Sequence, residues 1–109
     1  MTKFEMFKGN DNQHYFRLKS EDGKVLLSSE AYSQKDNATK GIESVKRNIA
    51  IAERLEKKQS EVGKHFFNVK STNGQVVGTS AQFDTPELRD QWIEKLRKAT
   101  PQAQVIEVA

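Results

Sequence analysis

The sequence predicts an α+β fold in which two tandem strand–hairpin–helix units form an antiparallel sheet with two helices packed on it. Two observations predict it. Shifting the chain by 51 positions lays residues 14–49 on residues 65–100 without a gap. Within each copy, an Asp-Gly or Asn-Gly pair sits between two β-prone runs and is followed by a one-sided helical pattern.

The first strand is expected near Phe4 to Lys8, where apolar and polar residues alternate. The same shift pairs Phe4 with Leu55 and Leu55 with Ile106, so Arg54 to Gln59 and Val105 to Val108 are read as further copies of that strand. Periodicity alone would allow Glu53 to Lys58 to be a helix tail; the repeat decides for a strand.

The hairpins come next. His14/His65, Phe16/Phe67, Lys19/Lys70, Ser20/Ser71, Gly23/Gly74, Val25/Val76 and Ser29/Ser80 are identical across the shift. Asp22-Gly23 and Asn73-Gly74 read as two-residue type I′ turns, which need positive φ at both central residues. A two-residue loop sets Leu18 opposite Leu27, Ser20 opposite Val25 and Phe16 opposite Ser29. The core face then carries Phe16, Leu18, Val25 and Leu27, and in the second copy Phe67, Val69 and Val76, with Gly78 in place of Leu27. Parity puts Tyr15, Arg17, Lys19 and Leu26 on the opposite face, together with Phe66, Asn68, Lys70 and Val77.

Each helix start has capping-box spacing, Ser33 with Asp36 and Asp84 with Glu87, and Pro86 suits a first turn. Phe83 and Leu88 match a hydrophobic staple. The apolar stripes are Ala38, Ile42, Val45 and Ile49, then Leu88, Trp92, Leu96 and Ala99 widened by Ile93. One such hairpin and one such helix bury little alone, whereas two copies can close a shared core. Residues 1–109 are therefore read as one domain of two repeats, about 1–52 and 53–109, related by a pseudo-twofold.

Composition narrows the function classes. Hydrophobic residues make up 35% and charged residues 30%, with both signs mixed, as in globular chains. The absence of cysteine excludes disulfides, thiol catalysis and thiolate metal sites. No signal-like apolar stretch lies at residues 1–9 and no apolar run approaches the roughly 18 residues a span requires, so a cytoplasmic protein is expected. A net charge of +3 permits acidic partners without requiring them.

With Phe16-Arg17-Leu18-Lys19, Asp22-Gly23-Lys24-Val25-Leu26, Ser28-Ser29-Glu30, Tyr32 and Gly41-Ile42-Glu43-Ser44-Val45-Lys46 in the first copy, the chain resembles the YegP-like tandem-repeat proteins of bacteria. Phe66-Phe67-Asn68-Val69-Lys70 and Asn73-Gly74-Gln75-Val76-Val77-Gly78-Thr79-Ser80 carry the match in the second copy. There Trp92-Ile93-Glu94-Lys95-Leu96-Arg97 departs from the family's usual helix. The resemblance implies a small two-unit α+β fold, no established activity and no catalytic residues.

No phosphate loop, nucleophile elbow or His-Glu-x-x-His is present, so no enzyme is expected. His14 and His65 are two ligands where a stable metal site needs three or four, so neither metal nor cofactor is expected. The leading expectation is a non-enzymatic binding or assembly module. Its sheet face, centred on Tyr15, Leu26, Phe66 and Val77, would contact a protein partner or another copy. The alternative is a weak single-stranded nucleic-acid binder using Tyr15, Arg17, Lys19, Phe66 and Lys70, since aromatics beside cations suit bases and phosphates.

Overall fold

The structure is a computed structural model and describes residues 2–108. In chain order the elements are β1 (Lys3–Lys8), β2 (His14–Lys19), β3 (Val25–Ser28), α1 (Lys35–Asn48), β4 (Leu55–Gln59), β5 (His65–Lys70), β6 (Val76–Ser80), α2 (Pro86–Ala99) and β7 (Gln104–Glu107). Short 3₁₀ turns at Ala52–Arg54 and Thr100–Gln102 lead into β4 and β7. The segment with ambiguous periodicity is thus a strand from Leu55 onward.

All the strands join one sheet in the order β4-β5-β6-β3-β2-β1-β7. At its centre β3 runs antiparallel to β6, with Ser28 facing Thr79. Those two residues are each other's repeat equivalents, so the pseudo-twofold passes through this pair. Every neighbouring pair is antiparallel except β1 and β7, which are parallel, with Lys3 beside Gln104 and Met6 beside Glu107. The repeat explains the exception. α1 delivers the chain to β4 at one end of the sheet, and α2 would deliver it to the symmetry-related place, which β1 already fills. β7 takes the next position and, as a copy of the same strand, runs the same way.

Both helices lie on one face of the sheet. Phe4, Met6, Phe16, Leu18 and Leu27 of the first unit share a single buried cluster with Phe67 and Val69 of the second, closed by Ile42, Val45, Ile49, Ile93 and Leu96 from the helices. The opposite face carries no helix.

The hairpin loops differ from the two-residue reading. Within these two loops positive φ is found at Gly23 and Gly74, at 85° each, whereas a type I′ turn would need it at Asp22 and Asn73 as well. Gly23 N–H donates to Ser20 O at 3.0 Å and Ser20 N–H donates to Lys24 O at 2.9 Å, a three-residue loop with the glycine in the left-handed region. Lys19 therefore pairs with Val25, yet Leu18 still pairs with Leu27, because a bulge absorbs the extra residue. The second hairpin shifts identically between Val69 and Lys70. The consequence corrects both predicted faces. Leu26 is only 2% exposed and Val77 only 8%, both in the core, while Val25, expected inside, is 36% exposed and Val76 is half-buried.

The helix starts fall one residue later than the capping boxes suggest. Thr85 caps α2, its Oγ1 accepting from Leu88 N–H at 3.1 Å, and this puts Pro86 at the first helical position. Asp84 is instead held by Lys64. The cap of α1 is Gln34, whose side chain makes no capping bond. The staple does not form: Leu88 is exposed, and Phe83 stacks on Trp92 at 6.3 Å.

The helices are also where the symmetry breaks. Trp92 has Gly41 as its repeat equivalent, and Tyr32, the counterpart of Phe83, leans over that glycine and stacks on Phe16 at 6.2 Å. Ile49, fully buried, has Thr100 as its equivalent, also fully buried, with its hydroxyl lacking any hydrogen-bond partner. An unsatisfied buried hydroxyl costs about 1–3 kcal/mol. Thr100→Val should therefore raise stability by about 1 kcal/mol, read as a thermal midpoint about 4 °C higher; an unchanged or lower midpoint would show that the hydroxyl carries no such cost.

Candidate binding face

Strand parity assigns the helix-free face. β1 contributes Lys3, Glu5 and Phe7; β2 contributes Tyr15, Arg17 and Lys19; β3 contributes Val25 and Ser28, and β6 contributes Val76 and Thr79; β5 contributes Phe66, Asn68 and Lys70; β4 contributes Glu56 and Lys58; β7 contributes Gln104 and Ile106. Six of the eight residues predicted from sequence are on it. Leu26 and Val77 are not, because the bulges turn them toward the helices. Leu26 lines a cleft of about 450 Å³ with Trp92, Lys95 and Leu96, and Val77 lines the repeat-related cleft of about 400 Å³ with Tyr32, Gly41 and Ser44.

The two halves of the face use one plan. In the first, the Glu5 carboxylate accepts from Arg17 Nε at 2.9 Å and has Lys19 Nζ at 3.4 Å and Lys3 Nζ at 4.0 Å. In the second, Glu56 accepts from Asn68 Nδ2 at 3.2 Å and from Lys70 Nζ at 3.1 Å, and Thr79 Oγ1 donates to Asn68 Oδ1 at 2.9 Å. Glu5 is 8% exposed and its pKa is lowered, first by the hydrogen bond from Arg17 and then by the charge of Lys19, against the opposing effect of burial. The pKa of Glu56 is lowered mainly by its bonds from Asn68 and Lys70. Sequence reading missed both glutamates and Phe7; applying parity to β1 and β4 as well as to the hairpins would have found them.

Aromatic groups edge the face. Phe7 stacks on Tyr15 at 5.6 Å, and the Arg17 guanidinium lies 4.5 Å above the Phe7 ring. Tyr15 O–H donates to Asp11 at 2.6 Å, which raises the tyrosine's pKa and lowers that of the aspartate. Phe66 stands at the equivalent place in the other half. β2 and β5 are separated by β3 and β6, so the two half-sites lie about 14 Å apart at the usual strand spacing.

Glu5 gives a pH prediction. A carboxylate whose folded pKa is depressed contributes stability that is fully present above its unfolded value and lost as pH falls through the folded value. Glu5→Gln should cost about 1–2 kcal/mol near neutral pH, because hydrogen bonds to charged groups are lost while the cations stay half-solvated. The gap to the parent should close as pH drops below 4.5, the ordinary value for the group. Urea midpoints between pH 3 and 7 check it, and a gap that persisted unchanged at the acid end would refute it.

Elsewhere the hydroxyls act structurally. Ser29 Oγ and Ser80 Oγ each accept the N–H of the aromatic residue across the hairpin, Phe16 or Phe67, at 2.9 Å. His14 and His65 open β2 and β5, and their backbones bridge to Tyr32 and Phe83. Among the described residues no three His, Asp or Glu side chains gather where they could hold a metal ion, and no helix is long and apolar enough to cross a membrane.

Comparison with known proteins places the fold and the repeat in one family. Residues 10–56 and 60–107 each match the Domain of unknown function (DUF1508). The chain is 40% identical over 105 residues to a UPF0339 protein in the ptx operon 5′ region of Stutzerimonas stutzeri, covering 96% of this chain and 95% of that one. It is 42% identical over 94 residues to the UPF0339 protein YegP of Escherichia coli, covering 86% of each. The solution NMR structure of yegP from E. coli, a protein of unknown function, superposes with a TM-score of 0.90 at 38% identity over 97% of this chain and 91% of that one. A UPF0339 protein from Shewanella oneidensis, also solved by NMR, superposes with the same TM-score at 33% identity, covering 97% and 90%. The chain belongs to the YegP-like DUF1508 family and carries its domain twice.

Proposed function

We propose that this protein is a non-enzymatic binding module whose helix-free sheet face receives single-stranded nucleic acid. One observation carries the reading: the strand residues of that face hold Lys3, Arg17, Lys19, Lys58 and Lys70 against only Glu5 and Glu56, an excess equal to the whole chain's net charge of +3. A protein partner on an apolar patch was the stronger expectation while Leu26 and Val77 stood at the centre of the face. With both in the core, Ser28 and Thr79 hold the centre, and the cations are flanked by Phe7, Tyr15 and Phe66, with Val25, Val76 and Ile106 as separate apolar side chains away from that centre. Such a surface attracts phosphates and offers rings on which unpaired bases stack.

The test is titration of labelled protein with single-stranded RNA and DNA at two salt concentrations, with mass in solution measured alongside. Amide shifts should cluster at residues 15–19 and 66–70, and affinity should fall steeply with salt. Lys19→Gln and Lys70→Gln keep a hydrogen-bonding group beside each glutamate; each should reduce the slope of log affinity against log salt by about 0.7. Absence of any shift at low salt would end this reading.

A further inference from the structure

The two outer strands of the repeats are not treated alike. β1 and β4 are repeat equivalents, each paired on one side along its length, β1 with β2 and β4 with β5. On its other side β1 carries β7 in parallel, whereas β4 ends the sheet. Backbone polarity shows which groups this leaves open. Phe16 N–H and O turn toward Ser29 of the hairpin, so the facing residue Met6 turns its own groups outward, and its carbonyl accepts from Val108 N–H at 2.9 Å. In the second unit Phe67 N–H turns toward Ser80 in the same way. Its partner Lys57, the equivalent of Met6, therefore presents its N–H and C=O at the free edge.

We propose that the free edge of β4 is a strand-addition site for an extended partner segment of β7-like chemistry, a β-branched apolar pair followed by a carboxylate, docking in parallel. The protein itself shows what such an edge accepts: Gln104-Val105-Ile106-Glu107 on β1, with Glu107 beside Met6 and ion-paired to Lys35. Transferred to β4, the same register sets the incoming carboxylate beside Lys57. The lysines also select the occupant. Lys57 and Lys58 are both half-exposed on this strand, Lys57 Nζ 3.2 Å from Asp90 of α2 and Lys58 Nζ 4.0 Å from Glu56, so an incoming carboxylate would share Lys57 with Asp90. Like charges directly opposite one another disfavour the register that sets the lysines of β4 against those of a second β4. An acidic strand meets the opposite condition. This site lies on the sheet's edge and shares only Lys58 with the open face.

The probe is an end-blocked synthetic peptide with the sequence of residues 103–108, Ala-Gln-Val-Ile-Glu-Val. Added to labelled full-length protein, it should shift the amides of Leu55, Lys57 and Gln59. Lys57→Pro removes an N–H that serves no bond within the sheet and should abolish binding with the fold retained. Lys57→Glu, which keeps the backbone intact, should weaken binding several-fold, as should Gln for Glu in the peptide. Shifts confined to β1, no shifts at millimolar peptide, or equal binding by Lys57→Glu would each overturn the proposal. So would a mass in solution that doubles with protein concentration and is restored to one copy by Lys57→Pro, since the occupant would then be a second copy.

Discussion

Replacing Phe67 by alanine should lower stability by about 3–5 kcal/mol, and the loss should be felt in the first repeat as strongly as in the second. The size follows from removing a fully buried ring and leaving a cavity that the surrounding side chains only partly fill. The spread follows from the shared core. α1 belongs to the first unit but packs on β5 and β6 of the second as well as on its own β2. Ile42 and Val45 thus rest on both halves, and neither unit keeps its apolar face covered when the other opens. Amide hydrogen exchange is the measurement. Protection at Phe16, Leu18 and Val45 should fall together with protection at Phe67 and Val69. Retained protection in β2 beside lost protection in β5 would show two separately stable halves and refute a single cooperative unit.

Gly41→Ala should destabilise by about 1–3 kcal/mol, although the same change on an exposed helix stabilises by about 1 kcal/mol. A Cβ at this position would lie 2.5 Å from Tyr32 Oη, 2.9 Å from Tyr32 Cζ and 2.9 Å from Phe16 Cε2. The phenol end could swing away, but the Phe16 ring is fully buried and packs on Phe4, edge to face with centroids 5.8 Å apart. Chemical denaturation of Gly41→Ala in the parent and in a Tyr32→Ala background gives a coupling energy. The penalty should shrink markedly once Tyr32 is trimmed. An equal penalty in both backgrounds would place the conflict elsewhere.

How far the structure was legible in the sequence depended on whether a feature survives the insertion of one residue. Repeat equivalence does: it identified β4 and β7 as copies of β1, where β4 by periodicity alone could have been helix. The α1 stripe of Ala38, Ile42, Val45 and Ile49 was also legible, because helical period tolerates small shifts of the start. Strand parity does not survive. A single bulge after each glycine turn exchanged Val25 with Leu26 and removed Leu26 and Val77 from the proposed face. Two adjacent apolar residues after each turn left the pattern ambiguous, and only the burial supplied by the helices settles it. Pro86 held the evidence for its own cap, since a proline at the first helical position makes Thr85 the capping residue. The parallel placement of β7 was hidden because it depends on β1 already occupying the symmetry-related position.

The axis through Ser28 and Thr79 also bears on how such a molecule can change. In a symmetric pair of identical single units every substitution appears on both sides at once, so each residue must suit two equivalent environments. Joining the units in one chain removes that constraint. Gly41 and Trp92, Ile49 and Thr100, and Arg17 and Asn68 are equivalent positions at which the two sides carry different residues. The seam itself is narrow, Leu27 with Ser80 and Ser28 with Thr79. Divergence on either flank therefore leaves this strand contact untouched, while the core shared through α1 still couples the two units.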